Sequence, residues 1–332
     1  MGLTRRATSN VDASVARLMR SSNLTRFDQQ TIADEIVFHG VGVHTGADVG
    51  MRLKPANADT GILFRRTDLN SELRSVTDVA AHIDNVCDNQ LATSIMNTAR
   101  TQVSTIEHLM AAFHGLDIDD VVVELDGPEV PIMDGSAAPF VERILEVGVD
   151  VLPAPRRVIR LIRTVEVVDG ERFARLDPAD RFSIDCGIEY DAPIVAKQRL
   201  DFTPHNGAFI SEIGPARTFG FAEDVARLRD LGLVRGGSLE NAIVVSGERV
   251  LNAGGLRYAD EFVRHKVLDC MGDLYLLGAP LQARLTTRFG GHALNHELLQ
   301  ELSANEGAWE YVTFDDKFAE QDHGIAALAA AG

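Results

Sequence analysis

The chain has 332 residues, 45% hydrophobic and 24% charged, which suits a folded globular protein of one large or two ordinary domains. A formal net charge of −17 excludes nucleic acid as a general partner, since a polyanion needs a basic surface. No run approaches the ~18 apolar residues of a membrane-spanning helix, so no transmembrane segment is expected. Three scattered cysteines, Cys87, Cys186 and Cys270, make a poor disulfide framework and point to a reducing compartment.

Residues 1–28 hold Arg5, Arg6, Arg17, Arg20 and Arg26 against Asp12 and Asp28, with no apolar stretch. They read as an N-terminal extension of a cytoplasmic protein, with an organelle transit peptide as the alternative. A strand begins at Thr31, a turn G-V-G-V-H-T-G follows at 40–46, and a second strand runs through Val49–Leu53. Ile62–Arg66 and Leu91–Met96 read as further strands. Between Ser104 and Gly115 the period changes: Ile106, Leu109, Met110 and Phe113 recur at helical spacing. Ser104 is placed to cap that helix with Glu107 as its capping-box partner, and Gly115 to end it. Asp120–Leu125 is strand-like and Pro139–Val147 helix-like.

Pro153 and Pro155 mark the expected linker. Strands are expected again at Val158–Ile162, Val165–Val168, Phe182–Glu189 and 242–245. Helices are expected at Phe221–Leu231, Asp260–Leu277 and Leu294–Leu302. Both halves mix the two element types, which gives an α+β class. The expected division is an extension (1–28), a first domain (29–154), a second domain (155–314) and a tail (315–332).

Two short segments carry chemistry. H-K-V-L-D puts His265 and Asp269 four residues apart, on one face of a helix. S-T-I-E-H supplies His108 beside Glu107. Two histidines and one aspartate form a three-ligand set with a position left open, as in catalytic rather than structural zinc sites. Glu107 then stands as a general base for the attacking water. Plainer readings exist for each: a buried histidine for His108, a helix-surface ion pair for His265 and Asp269, and a capping-box carboxylate for Glu107.

A longer series of segments points the same way: G-V-G-V-H-T-G (40–46), F-R-R-T-D-L-N (64–70), S-T-I-E-H-L-M-A-A (104–112), P-I-M-D-G-S-A-A-P-F-V (131–141), A-R-T-F-G-F (216–221), E-F-V-R-H-K-V-L-D-C-M-G-D-L (261–274) and G-G-H-A-L-N (290–295). In these the chain resembles the UDP-3-O-acyl-N-acetylglucosamine deacetylases, zinc amidases that commit bacteria to lipid A synthesis. The resemblance covers residues 31 to 302. It implies two similar α+β domains, each a sheet with a helical layer, the helices facing each other and the metal at their junction.

It also implies roles. His108, His265 and Asp269 match the ligands of Zn2+, with Fe2+ as the alternative in the cell. Glu107 matches the general base. His292 matches the general acid and Asp273 the carboxylate that pairs with it. Lys266 and Thr218 match residues beside the reacting carbonyl. The implied substrate is UDP-3-O-(3-hydroxyacyl)-N-acetylglucosamine, which loses its N-acetyl group. Ala222, Val225, Val234, Gly237, Ser238, Ala242 and Val244 match the acyl passage, although strand 242–245 reads equally as plain core. Phe219 is expected at the sugar or uracil, Leu91 and Val43 at the mouth, and His44 and Thr45 near the entrance. Lys266 and Arg264 are the cations available for the phosphates. A monomer is expected. A zinc amidohydrolase for another N-acyl sugar is the rival reading.

Overall fold

The computed structural model describes residues 27–205 and 207–313. Residues 1–26 and 315–332, most of the expected extension and all of the expected tail, lie outside the described residues. The strands in chain order are β1 (Asp28–Ile32), β2 (Ile36–Val41), β3 (Asp48–Pro55), β4 (Ile62–Arg66), β5 (Asp78–Ala80), β6 (Val86–Asp88), β7 (Ser94–Met96), β8 (Gln102–Val103), β9 (Val121–Leu125) and β10 (Val149–Pro155). They continue as β11 (Arg157–Leu161), β12 (Val165–Asp169), β13 (Arg172–Pro178), β14 (Ser183–Glu189), β15 (Lys197–Phe202), β16 (Phe219–Phe221), β17 (Ile243–Ser246), β18 (Arg249–Val250), β19 (Leu281–Arg288) and β20 (Trp309–Thr313). The helices that matter are α1 (Glu107–Gly115), α2 (Ala138–Val147), α3 (Ala222–Asp230), α4 (Glu261–Leu274) and α5 (His292–Ala304).

The class is α+β. A five-stranded sheet has the order β2-β3-β9-β4-β5, and a seven-stranded sheet runs β12-β13-β19-β11-β20 with β14 and β15 attached through β19. Each sheet draws its strands from one side of Arg156. In β19 the alternation L-Q-A-R-L-T-T-R buries Leu281, Ala283, Leu285 and Thr287 and leaves the intervening residues half-buried. Around it β13 runs antiparallel while β11 and β14 run parallel.

Helices α1 and α4 pack on each other where the two halves meet. Residues 107–114 of α1 are all buried, and α4 is buried nearly all round. The closest approach is at Gly272, where a Cβ would stand 2.0 Å from the Glu107 carbonyl oxygen. Gly115 serves a similar purpose: a Cβ there would meet the Phe209 ring at 2.1 Å. The left-handed residue that ends α1 is Asp117, at φ 57°, rather than Gly115.

Several expected elements change. The linker at Pro153–Pro155 is the end of β10, which pairs with β1 alone. A two-stranded ribbon has free edges, where a residue without an N–H is tolerated. The strand expected at Leu91–Met96 shortens to β7, and Leu91 lies in an exposed bend. Helix 260–277 ends at Leu274 and tightens into a 3-10 turn over Tyr275–Leu277. Phe221, expected to open a helix, closes β16. Among the described residues no helix is long and apolar enough to cross a membrane.

Candidate metal centre and active site

His108 is the second residue of α1; His265 and Asp269 lie one turn apart on α4. Packing of the two helices brings one ligand atom of each within 4.8 Å of the others. His265 Nε2 is 3.3 Å and His108 Nε2 3.8 Å from Asp269 Oδ1. The two rings stand edge to face, 4.9 Å apart. All three residues are buried.

The surroundings fit a cation there. Asp269 Oδ1 is buried and accepts no hydrogen bond, an expensive arrangement for a carboxylate without a positive partner. His265 Nδ1 faces the Ala216 carbonyl at 3.1 Å, which leaves Nε2 free as a donor to metal. Burial, reinforced by His265 alongside, pushes His108 down to about 3, and burial likewise lowers His265. Burial works against the Asp269 carboxylate, but the positive charge beside it, that of Lys266 above all once the imidazoles are neutral, holds it well below the usual range. Neutral imidazoles and one carboxylate are the donor set of a divalent cation.

Glu107 is the first residue of α1, and its carboxylate turns into the site. Oε2 accepts the Thr93 N–H at 3.0 Å, and Oε1 is 4.0 Å from His292 Nε2. The capping-box expectation fails here. The helix starts after Ile106 without a side-chain cap, and Ser104 lies in a β-bridge with Glu129. Burial pushes Glu107 up to about 7, with Asp269 and Asp273 adding to the rise against the pull of His292.

His292, the first residue of α5, meets Asp273 Oδ2 through Nδ1 at 2.8 Å. Burial disfavours its charged form, but Asp273 outweighs that and the imidazole rises to about 10. Its Nε2 is 4.0 Å from both Glu107 Oε1 and Asp269 Oδ2. Lys266 Nζ donates to Asp269 Oδ2 at 2.9 Å and lies 5.6 Å from the Phe219 ring centroid. Burial opposes its charge, and Asp269 more than restores it, so it is raised.

Thr218 lies two residues beyond the carbonyl that orients His265. Its N–H donates to the Gly135 carbonyl at 2.7 Å, a bond between the M-D-G-S turn and the residue just before β16. Phe219 stands 6.4 Å from the His265 ring and packs on Tyr190, Phe221 and Phe262.

Val43, expected at the mouth, meets the backbone just after Val234, a residue of the expected passage. The Val43 carbonyl accepts Gly236 N–H, and the His44 carbonyl accepts Arg235 N–H. His44 and Thr45 are pinned by buried Glu129, which takes both backbone N–H groups and the Thr45 hydroxyl. Ala222 and Val225 are half-buried on α3, which has no buried residue. Gly237 and Ser238 lie in the turns before β17. Ala242 and Val244 alternate with fully buried Ile243 and Val245. Arg264 is engaged elsewhere, with Asp260 at 2.6 Å and over the Tyr258 ring.

Sequence reading missed Thr93, Asn295 and Glu129. Asn295 Nδ2 donates to Asp273 Oδ2 at 2.8 Å, and its place three residues after His292 on one helix face is a signal that could have been used. Thr93 and Glu129 lie in irregular backbone, where spacing says nothing of contact.

The family model for UDP-3-O-acyl N-acetylglycosamine deacetylase matches residues 29–304. A protein of Teredinibacter turnerae named UDP-3-O-acyl-N-acetylglucosamine deacetylase is 47% identical over 291 residues, 87% of this chain and 94% of the relative. Relatives of the same name from Phenylobacterium zucineum and Idiomarina loihiensis are 47% and 45% identical, covering 88% of this chain and 99% and 94% of their own lengths.

Proposed function

Since the chain belongs to the UDP-3-O-acyl N-acetylglycosamine deacetylase family, and is thus a deacetylase of lipid A biosynthesis, we propose that it hydrolyses the N-acetyl group of UDP-3-O-(3-hydroxyacyl)-N-acetylglucosamine. The products are acetate and the UDP-3-O-acyl-glucosamine. The observation that carries this reading is the meeting of five buried side chains from three helices: His108, His265 and Asp269 as ligands, with Glu107 and His292 beside them, 4.0 Å apart.

His108 Nε2, His265 Nε2 and Asp269 Oδ1 would hold the metal, with zinc the first choice and iron(II) the alternative. When bound, that ion polarises the amide carbonyl and makes water a nucleophile near neutral pH. Glu107, raised to about 7, takes the proton of the attacking water as the new C–O bond forms. Lys266 and Thr218 face the negative charge that grows on the former carbonyl oxygen. His292, protonated up to about pH 10, gives its proton to the sugar nitrogen as the C–N bond breaks. Asp273 keeps that imidazole charged and oriented.

The two halves, residues 29–154 and 155–314, act as two domains that share this site. Ala222, Val225, Val234, Gly237, Ser238, Ala242 and Val244 line the way for the acyl chain, Val43 and Leu91 its mouth, and Phe219 flanks the sugar or the uracil. The test is acetate release from the acylated UDP-sugar by purified protein, before and after chelation. Activity lost on chelation and restored by zinc up to one equivalent is expected. A metal-loaded, folded sample without turnover would sink the substrate assignment. Equal turnover of UDP-N-acetylglucosamine lacking the acyl chain would favour the broader N-acyl-sugar reading.

A further inference from the structure

We infer that Thr93 is the positioning residue that fixes the acid arm of this site against its base arm. The inference rests on the roles given above to Glu107 and His292. Thr93 is buried just before β7, and three of its polar contacts reach into the site. Its N–H donates to Glu107 Oε2 at 3.0 Å. Its hydroxyl donates to Asp273 Oδ1 at 2.6 Å, and the same oxygen lies 3.3 Å from His292 Nδ1. Its carbonyl accepts the Ile106 N–H at 3.2 Å, which ties it to the start of α1.

A hydroxyl has one proton to give. With that proton on Asp273 Oδ1, the Thr93 oxygen presents a lone pair to His292. The Nδ1–H is then held between Asp273 Oδ2 at 2.8 Å and Thr93 Oγ1 at 3.3 Å. Both the tautomer and the rotation of the ring follow, and Nε2 is left facing Glu107 and Asp269 at 4.0 Å. Asn295 donates to Asp273 Oδ2, the oxygen that also meets His292. Three donors therefore converge on Asp273. Thr93 is the one from the first half of the chain, 180 residues away. A bond of 2.6 Å to a carboxylate is at the short, strong end of the charge-assisted range. One residue thus sets the separation of the two groups that must act in turn on one amide: the backbone holds the base and the side chain holds the partner of the acid.

The test compares Thr93→Val, which keeps shape and removes the hydroxyl, with Thr93→Ser, which keeps the hydroxyl. The backbone bond to Glu107 survives in both. Loss of a partner that orients a functional histidine costs roughly 10- to 100-fold. That loss is expected in kcat for Thr93→Val, with KM within about twofold and bound metal unchanged, since the hydroxyl touches no ligand. Thr93→Ser should recover most of it. In an Asp273→Asn background Thr93→Val should cost almost nothing more, because the residue acts through that carboxylate.

A second readout needs no turnover. In the metal-free protein the Nδ1-bound proton of His292 should resonate far downfield, move upfield in Thr93→Val and return in Thr93→Ser. Parental kcat in Thr93→Val, equal losses in Val and Ser, or full additivity with Asp273→Asn would each overturn the inference. An Nδ1 resonance unmoved by Thr93→Val overturns it even without turnover, whereas an inactive parent counts against the deacetylase reading alone. Thr93→Ala, which only removes atoms, replaces Thr93→Val if the latter folds poorly.

Discussion

The helix pair α1–α4 and the segment from β16 to β18, which meets it through Phe219, are built in opposite ways. In α1 every residue from Glu107 to His114 is buried, and α4 touches it so closely that Gly272 has no room for a Cβ. In the other segment α3 has no buried residue, Leu231 and Leu239 are exposed, and Val234, a β-branched residue, sits at φ 46°. That segment is tied down by amide side chains. Asn252 bonds the carbonyls of Leu239 and Ala242 and the N–H of Val244, while Asn241 bonds Ser238 and Gly236. Proton transfer tolerates little displacement, and the groups proposed for it lie where packing on all sides fixes them. Contact with a long apolar chain, the role proposed for the other segment, needs area rather than exact angles, and a thin layer is enough for it.

The helix pair should therefore break sharply. Glu107→Gln keeps the size of the side chain and the acceptor for Thr93 N–H but cannot take a proton. Acetate release should fall by roughly 10²–10⁴-fold, with bound metal and thermal stability retained. A variant within tenfold of the parent would remove Glu107 from the base role.

His114 tests the same packing through pH. Its Nδ1 meets the Met271 carbonyl at 2.9 Å, its ring stacks on Tyr275 at 4.7 Å, and burial pushes it down to about 4. The folded protein thus refuses a proton that the unfolded chain takes below about pH 6.5. Stability should fall between about pH 6.5 and 4 and level off below, by up to about 3 kcal/mol. Asp120, raised to about 6 mainly by burial, works in the opposite sense over part of that range. The measurement is accordingly the difference in urea stability between the parent and His114→Gln at pH 7 and pH 4.5. A difference independent of pH would show that His114 titrates normally.

Gly272→Ala puts two effects in competition. A helix interior gains about 1 kcal/mol from Ala over Gly. Against that, the new Cβ would stand 2.0 Å from the Glu107 carbonyl oxygen, backbone on a buried helix that cannot step aside cheaply. Overpacking of this kind costs about 1–3 kcal/mol, so a net loss of stability is expected. Activity should fall as well, since the displaced atom belongs to Glu107 itself. A variant more stable than the parent would show that α4 can slide over α1.

The cluster of His108, His265 and Asp269 was legible in the sequence because two of its members share a helix face and the third lies beside a glutamate in a helix start. Spacing of that kind survives without tertiary information. Central strand β19 went unread although its alternation is regular, since Gln282, Arg284, Thr286 and Arg288 made a core strand look like a polar run. Pro153 and Pro155 stand just before the point where the strands of the two large sheets divide, yet the segment is no loop, since in a two-stranded ribbon prolines can sit within a strand. Glu107 was read in two ways, and the fold removes one of them, the capping box. Once α1 starts at Glu107 itself, its side chain is past the capping position and free to face Thr93 and His292. Thr93 had no periodic signal at all; its importance comes from meeting Asp273 across the two halves of the chain.

The thin segment should bend where the helix pair breaks, and β17 holds both behaviours on its two faces. Ile243 is fully buried, whereas neighbouring Ala242 is half-buried. Ile243→Ala should cost about 2–5 kcal/mol of stability, as a large-to-small change in a closed core does. Ala242→Leu adds three carbons on the more open face and should stay within about 0.5 kcal/mol of the parent, as substitutions away from closed packing do. Its effect belongs in substrate choice. If the face of Ala242 borders the acyl chain, the larger side chain shortens the space, and kcat/KM should drop for long 3-O-acyl groups while short ones are spared, by roughly 10-fold or more, the worth of a methylene or two in an apolar pocket. Parallel loss across all acyl lengths would place Ala242 outside the passage, and a loss of stability as large as that of Ile243→Ala would show that the layer is packed as firmly as the helix pair.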